Sequence, residues 1–279
     1  MKPNRNVSLA EQAYKLSNGI ELAYYDSQAD DASPSAEALV LLHGYCGSSA
    51  YWERVAGELA SGGRVIAPDA RGHGLSSAPE DAVYGMENFA ADLEELLERL
   101  GVARAIVLGH SLGGYIALAY AERHAARLSA FGLIHSTPLP DSEAARENRD
   151  KAAAAIEGQG VEPFVKGLVP KLFHPERSGE LAEELERAVQ IGLGTSRLGA
   201  AATARGMKAR RDRKDVIAGA SVPVLLAAGS NDGIILQESV FAAAAPRTVQ
   251  TVISGAGHMS MYERPNELIA AVSSFRGQI

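Results

Sequence analysis

Short runs of apolar and β-branched residues recur along the chain, and Gly, Asp or His stands at the end of most of them. Several runs are almost continuously hydrophobic, which is typical of strands in a parallel sheet that is covered on both faces. The pattern predicts strands at Ile20–Asp26, Ala38–His43, Arg64–Asp69, Ala105–Gly109, Phe131–His135, Val222–Gly229 and Thr248–Ser254.

Helical patterns lie between these runs. From residue 87 to residue 100, leucines stand at positions i, i+3, i+4 and i+7, and Gly101 follows as a stop signal. Tyr51–Ala60 and the alanine-rich Leu112–His124 are also predicted to be helices. Strands that alternate with helices form parallel βαβ units. The sequence therefore predicts an α/β fold with a mostly parallel central sheet and helices on both faces.

The alternation stops between residues 138 and 215. This segment opens with Pro138 and Pro140, has no strand-like run, and is rich in Ala, Glu, Arg and Lys. We interpret it as a helical cap or lid that is inserted after one strand of the sheet. Residues 1–137 and 216–279 would then form the core domain.

Composition and charge narrow the class of protein. Hydrophobic residues make up 46% of the chain and charged residues 22%, as in ordinary globular proteins. The net charge of −7 argues against a general affinity for nucleic acid or membranes, so we expect a small-molecule substrate and leave a homo-oligomer open. The single Cys46 excludes an intramolecular disulfide and fits a cytoplasmic location. No apolar run has the length of a membrane span, and the N-terminal residues lack the apolar stretch of a signal peptide.

The sequence Gly109-His110-Ser111-Leu112-Gly113 joins a predicted strand to a predicted helix. This is the context of a nucleophile elbow, in which a sharp turn between glycines exposes a serine hydroxyl at a helix N-terminus. The alternative is a glycine-rich turn whose serine only caps the helix. The strand–turn–helix order favours Ser111 as a nucleophile.

A nucleophilic serine needs a base that accepts its proton. His258 lies in a glycine-rich loop after the last predicted strand, which can bring an imidazole over the sheet edge. We expect His174 to have a surface or packing role. His135 ends a predicted strand, and we expect it to line the substrate pocket together with His110 and the Tyr45 side chain.

The base needs a carboxylate that orients it. Asp232 follows the strand Val222–Gly229 and stands between Ser111 and His258 in chain order, as a serine hydrolase of this type requires. Asp141 is the rival, but it opens the insertion rather than ending a core strand. An oxyanion hole also needs two backbone N–H groups. Leu112 and Tyr45 are the predicted donors.

Taken together, these motifs resemble the α/β-hydrolase superfamily, in its branch of esterase-like and lactonase-like serine hydrolases. The resemblance implies a triad of Ser111, Asp232 and His258, with no cofactor and no metal. Serine at the nucleophile position disfavours relatives that open epoxides or remove halide with an aspartate. The motifs are His43-Gly44-x-x-Gly47, Asp69-Ala70-Arg71-Gly72-His73-Gly74-Leu75-Ser76, Gly109-His110-Ser111-Leu112-Gly113-Gly114, Gly229-x-x-Asp232 and Gly257-His258.

The expected reaction is cleavage of a carboxylic ester or lactone through an acyl-enzyme. Two alternatives stay open: hydrolysis of a carbon–carbon bond with the same residues, and a member of the fold that only binds ligands. The stretch Arg205–Lys214 is strongly basic. It would attract carboxylate-bearing substrates if it formed the mouth of the site, but a solvated helix face is the interpretation that the sequence favours.

Overall fold

The computed structural model describes residues 7–177 and 179–279. We assigned the first six residues to the core domain and expected no signal peptide there. These residues lie outside the described ranges. Ser178, in the predicted insertion, lies outside them as well. Within the described ranges, no helix combines the length and the apolar character that a membrane span requires.

A single sheet of eight strands forms the centre of the molecule. The strands are β1 (Gln12–Lys15), β2 (Glu21–Asp26), β3 (Glu37–Leu42), β4 (Val65–Pro68), β5 (Arg104–His110), β6 (Leu128–Ile134), β7 (Val224–Gly229) and β8 (Thr248–Ile253). Their order across the sheet is β1-β2-β4-β3-β5-β6-β7-β8. The β1–β2 and β2–β4 pairs are antiparallel, and all other pairs are parallel. The predicted α/β fold with a mostly parallel sheet is confirmed.

Helices occupy most of the remaining chain. They are α1 (Ala56–Ala60), α2 (Met86–Arg99), α3 (Leu112–Arg123), α4 (Glu143–Gln159), α5 (Val161–Leu168), α6 (Ala182–Gly192), α7 (Arg197–Ala209), α8 (Lys214–Ala218), α9 (Gln237–Val240), α10 (Ser260–Glu263) and α11 (Pro265–Arg276). Side chains of β3, β6 and β7 are almost wholly buried, and so is most of α3. This burial on both faces explains the continuous apolar runs of the central strands.

The observed elements differ from the predicted ones in several places, and two of the differences have a clear physical reason. Strand β1 has no apolar run because most of its side chains are exposed at the sheet edge, and so its sequence pattern gave no signal. The predicted helix Tyr51–Ala60 is two elements, a 3₁₀ turn at Ser49–Trp52 followed by α1. Ser48 caps that turn by accepting a hydrogen bond from the Ala50 amide.

The segment between β6 and β7 contains α4 to α8 and, among its described residues, no strand. It lies over the loops that follow the carboxyl ends of the core strands. Leu172 accepts a hydrogen bond of 2.8 Å from the His258 amide, and Ala200 accepts one of 2.8 Å from the Tyr45 hydroxyl. Those loops carry the candidate site residues, so this helical segment contacts the region of the candidate site.

Candidate active site

Ser111 stands at the sharp turn between β5 and α3. Its φ of 51° and ψ of −112° lie in a region that non-glycine residues rarely adopt. Gly109 and Gly113 make the turn sterically feasible, because a Cβ on Gly109 would overlap the Gly113 carbonyl. A Cβ on Gly113 would overlap the Leu42 carbonyl. Ser136 Oγ donates to the Ser111 carbonyl at 2.7 Å and fixes the turn, while the Ser111 side chain stays half-exposed.

Asp232 and His258 meet at the same edge of the sheet. Asp232 follows β7 and His258 follows β8, and these neighbouring parallel strands end side by side. His258 Nδ1 donates a hydrogen bond of 2.8 Å to Asp232 Oδ2. A carboxylate can only accept, so this bond keeps a proton on Nδ1 and leaves Nε2 as the basic nitrogen of the ring.

The surroundings of Asp232 keep its carboxyl group ionised. Its Oδ1 accepts hydrogen bonds from the N–H groups of Ile234 and Ile235, at 2.8 and 3.0 Å. Burial alone opposes ionisation, but the imidazoles of His258 and His135 outweigh it and hold the pKa of Asp232 well below its usual range. Asp232 can therefore stabilise a positive charge that develops on His258.

His110 connects His258 to the turn that carries Ser111. It directly precedes Ser111, and its Nε2 donates to the His258 carbonyl at 2.8 Å. The two imidazole centroids are 4.8 Å apart. The His258 imidazole is thus held beside the elbow, bonded to Asp232 on its other side.

The loop after β3 packs against the elbow. A Cβ on Gly44 would lie 3.4 Å from Ser111 Cβ, and Tyr45, the next residue, is anchored by its hydroxyl to Ala200. The N–H groups of Tyr45 and of Leu112, the first residue of α3, donate to no acceptor among the described residues. Both are free to donate to an oxyanion.

His135 lies behind Asp232 and not in an open pocket. Its side chain is 0% exposed. Its Nδ1 donates to Asp232 Oδ2 at 3.1 Å, and its Nε2 accepts from Ser260 Oγ at 2.7 Å. The protein itself uses both ring nitrogens, so neither is left for the ligand contact that we expected from the sequence. Burial outweighs the attraction of Asp232 and lowers the pKa of His135, which keeps the ring neutral.

His110 also differs from its expected role in substrate binding. Its side chain is buried, and its Nε2 is bonded to the His258 carbonyl. Its Nδ1 has no hydrogen-bond partner in the described part of the chain. Burial, followed by the nearby His258, lowers the pKa of His110 well below its usual value. The neutral ring of His110 lies between His258 and the turn at Ser111.

Asp141 and His174, the alternative acid and base, lie outside the cluster of Ser111, Asp232 and His258. Asp141 forms ion pairs with Arg149 at 3.1 Å and Arg210 at 2.6 Å, so its carboxylate is engaged inside the helical segment. His174 Nδ1 accepts a hydrogen bond of 3.2 Å from the Glu176 amide. Its ring therefore has the local packing role that we expected.

The sequence gave no indication of Glu263, which holds the loop that carries His258. Glu263 Oε2 accepts from the amides of Gly257 and His174, at 3.1 and 3.0 Å, and Oε1 accepts from Met259 at 3.0 Å. The contact depends on α10 folding back over the loop. An acidic residue five positions after a histidine carries no such signal by itself.

His135, Asp232 and His258 also have the spacing of a metal site, since one potential ligand atom of each lies within 4.8 Å of the others. Both Nδ1 atoms face a single carboxylate oxygen at 2.8 and 3.1 Å. These are hydrogen-bond distances, and the distal nitrogen of His135 is already bonded to Ser260. We assign the cluster to hydrogen bonding.

Several known proteins that resemble this chain are named as hydrolases. A family model of the alpha/beta hydrolase fold matches residues 37–160. A thermophilic esterase from Thermogutta terrifontis, solved with malate bound, superposes with a TM-score of 0.88 at 31% identity, covering 96% of this chain and 98% of its own. A putative carbamate hydrolase of Variovorax paradoxus is 31% identical over 71% of this chain and 75% of its own length. A 3-oxoadipate enol-lactonase of Acinetobacter baylyi is 26% identical over 86% and 89%.

The chain therefore belongs to the α/β-hydrolase family. Within that family it is a hydrolase, with esterases and an enol-lactonase among its relatives.

Proposed function

We propose that this hydrolase cleaves a carboxylic ester or lactone with a triad of Ser111, His258 and Asp232. The observation that carries the proposal is the 2.8 Å bond between His258 Nδ1 and Asp232 Oδ2 beside the strained turn at Ser111. The names of the related esterase and enol-lactonase support the same bond type. Malate in the related esterase also supports a small carboxylic acid as a product.

In the first half of the reaction, His258 Nε2 takes the proton of the Ser111 hydroxyl as Ser111 Oγ attacks the carbonyl carbon. The carbonyl π electrons move to oxygen, and the N–H groups of Tyr45 and Leu112 stabilise the oxyanion. Collapse of the intermediate breaks the bond to the alcohol, which takes the proton from His258. The product is an acyl-Ser111 ester.

In the second half, a water molecule gives its proton to His258 Nε2 and attacks the acyl carbon. The resulting intermediate collapses with Ser111 Oγ as leaving group, and His258 returns the proton to it. Asp232 keeps the Nδ1 proton in place throughout and stabilises the imidazolium in both halves. The acid leaves, and the free enzyme is restored.

The helical segment is the proposed cap of this site. Residues 138–215 would form it, and residues 1–137 with 216–279 would form the catalytic core. The contacts of Leu172 with His258 and of Ala200 with Tyr45 support this division, because they join the segment to residues of the site. A cap in this place would exclude water and shape the substrate pocket.

The test is hydrolysis of p-nitrophenyl acetate, p-nitrophenyl butyrate and a small aliphatic lactone by the wild type and by Ser111→Ala. We expect the variant to lose activity by on the order of 10³-fold or more, since the nucleophile is gone. Unchanged turnover in the variant would contradict the proposal. Cleavage of a β-diketone with no ester turnover would instead support carbon–carbon hydrolysis, and binding without turnover would support a ligand-binding protein.

A further inference from the structure

An ionic cluster lies on the inner side of the helical segment, close to α3. Asp141 accepts from Arg149 Nε at 3.1 Å with one carboxylate oxygen and pairs with Arg210 Nη1 at 2.6 Å with the other. Two guanidinium groups therefore share one carboxylate. The cluster retains one positive charge that Asp141 does not neutralise.

That charge is concentrated on Arg149. The side chain of Arg149 is 27% exposed, against 5% for that of Arg210. Its Nη1 and Nη2 groups form no hydrogen bond within the described residues, although Nε is fixed by Asp141. A guanidinium that is pinned on one edge presents its two remaining amino groups as a rigid fork, which fits a carboxylate.

The basic stretch Arg205–Lys214 differs from Arg149. Apart from Arg210, its cations are paired with acidic side chains. Each has an acidic partner, and the solvated-face interpretation of this run holds for all of them except Arg213, whose side chain is buried. The pairs are Arg205 with Glu157, Lys208 with Asp150, Arg211 with Glu122, Arg213 with Glu87 and Glu122, and Lys214 with Asp212.

The ionic cluster stands next to the elbow through Arg210 and Tyr115. Tyr115 lies one helical turn after Ser111, and its amide donates to the Ser111 carbonyl. Its ring packs under the Arg210 guanidinium at 4.1 Å. The residue is 3% exposed, and none of the hydrogen bonds of the described residues involves its hydroxyl. The hydroxyl oxygen is not among the fully buried atoms without a partner in these residues, so solvent or a ligand can reach it.

The electrostatics agree with this placement. Burial alone would lower the pKa of Arg149, but the nearby Tyr115 and Asp141, with a smaller effect of Tyr45, raise it instead. Tyr45 and Tyr115 flank Ser111 from the loop after β3 and from α3. Arg149 therefore stands within electrostatic reach of the residues on both sides of the nucleophile.

We propose that the free edge of the Arg149 guanidinium, together with the Tyr115 hydroxyl, binds a carboxylate carried by the substrate. The preferred substrates are then half-esters of dicarboxylic acids, or lactones that carry a second carboxylate. The inference rests on the proposed ester hydrolysis at Ser111 and names the substrate class of that site.

The experiment uses pairs of ethyl esters that differ only in the end of the acyl chain. The monoethyl esters of malonate, succinate, glutarate and adipate are each compared with the ethyl alkanoate of the same chain length. Release of ethanol gives kcat/KM for both, and their ratio is the carboxylate preference. Arg149→Met and Tyr115→Phe are the test variants, and Arg146→Met is the matched control, because Arg146 is an exposed arginine of the same helix.

We expect the wild type to prefer the half-ester at one or more chain lengths. Arg149→Met should reduce that preference ratio about 10- to 100-fold, since a hydrogen bond to a charged group is worth roughly 1.5–3 kcal/mol. Tyr115→Phe should reduce it by a smaller factor, and Arg146→Met should leave it unchanged.

A separate measurement keeps the inference testable if Arg149→Met does not fold. Glutarate should inhibit hydrolysis of ethyl pentanoate more strongly than pentanoate does, and Tyr115→Phe should weaken that difference. No half-ester preference at any length, or an equal loss on both members of each pair, would overturn the carboxylate site. Hydrolysis of neither member would overturn the proposed ester hydrolysis instead.

Discussion

At the scale of single residues, the central feature is one carboxylate that accepts hydrogen bonds from two imidazoles. Asp232 Oδ2 accepts from His258 Nδ1 at 2.8 Å and from His135 Nδ1 at 3.1 Å. Backbone amides hold the other oxygen. The carboxylate cannot rotate without losing several bonds, so we expect His135 to be a positioning residue that influences the proposed reaction through Asp232.

The hydrogen bond from His135 also holds the Asp232 carboxylate, which is the group that orients His258. In His135→Phe, Asp232 Oδ2 keeps only His258 as a donor, and the carboxylate that orients the imidazole is held less firmly. We expect kcat/KM to fall about tenfold, measured with p-nitrophenyl butyrate.

His135→Gln is the conservative comparison, because its amide retains a donor. We expect it to restore part of the rate. An unchanged kcat/KM in His135→Phe, with only the melting temperature lowered, would mean that His135 supports the fold and does not influence the proposed base.

Sequence reasoning found the residues that carry a local signal and missed those that depend on packing. Ser111 stands in a glycine-bounded turn, and Asp232 and His258 each follow a strand in the expected order. The bond from His135 to Asp232 spans 97 residues and exists because β6 and β7 are neighbours. No local pattern distinguishes a histidine behind the carboxylate from one that faces the substrate.

At the scale of elements, the loop that carries His258 depends on α10. Glu263, the last residue of α10, accepts three backbone hydrogen bonds from this loop and from the helical segment. These amides are buried and have no alternative acceptor once the carboxylate is removed. The loop and the helical segment are therefore joined next to His258, the proposed base.

Glu263→Ala should destabilise the fold and lower activity together. Each buried amide that is left without an acceptor costs about 1–3 kcal/mol, so we expect a loss of about 3 kcal/mol or more in the free energy of unfolding. Urea unfolding and kcat/KM are the two measurements. Glu267→Ala, an exposed position four residues further on, is the control. A variant with wild-type stability would show that the loop does not need this acceptor.

Some strands and helices could be predicted from the sequence, and others could not. Continuous apolar runs predicted the buried central strands, and each of these predictions is confirmed within a few residues. Strand β1 could not be predicted, since its exposed side chains contribute little and pairing with β2 determines its conformation. The helices of the α4–α8 segment were expected as a group, but their ends depend on contacts with the core that composition does not reveal.

At the scale of the whole molecule, four buried histidines are held neutral. Burial lowers the pKa of His43 to about 4 and that of His73 to about 3, and it also lowers those of His110 and His135. In the unfolded chain each would titrate near 6.5. Between these values the unfolded chain binds protons that the folded chain does not.

Stability should therefore fall as the pH drops below about 6.5, and the loss should continue toward pH 4. Each such histidine contributes up to about 1.4 kcal/mol per pH unit. Asp69 and Asp92, whose pKa values are raised by burial, offset part of the loss nearer pH 4. Urea unfolding at pH 7.5, 6.5, 5.5 and 5.0 measures the slope. A free energy of unfolding that stays constant over this range would contradict the neutral, buried state of these rings.

The most direct test of the account is labelling by a fluorophosphonate, read by intact mass and by peptide mapping. The reagent reacts with a serine that a neighbouring base has activated. We predict one adduct per chain, located on Ser111, absent in Ser111→Ala and formed far more slowly in His258→Ala. No adduct, an adduct on another residue, or an undiminished rate in His258→Ala would contradict the assignment of Ser111 as a nucleophile activated by His258.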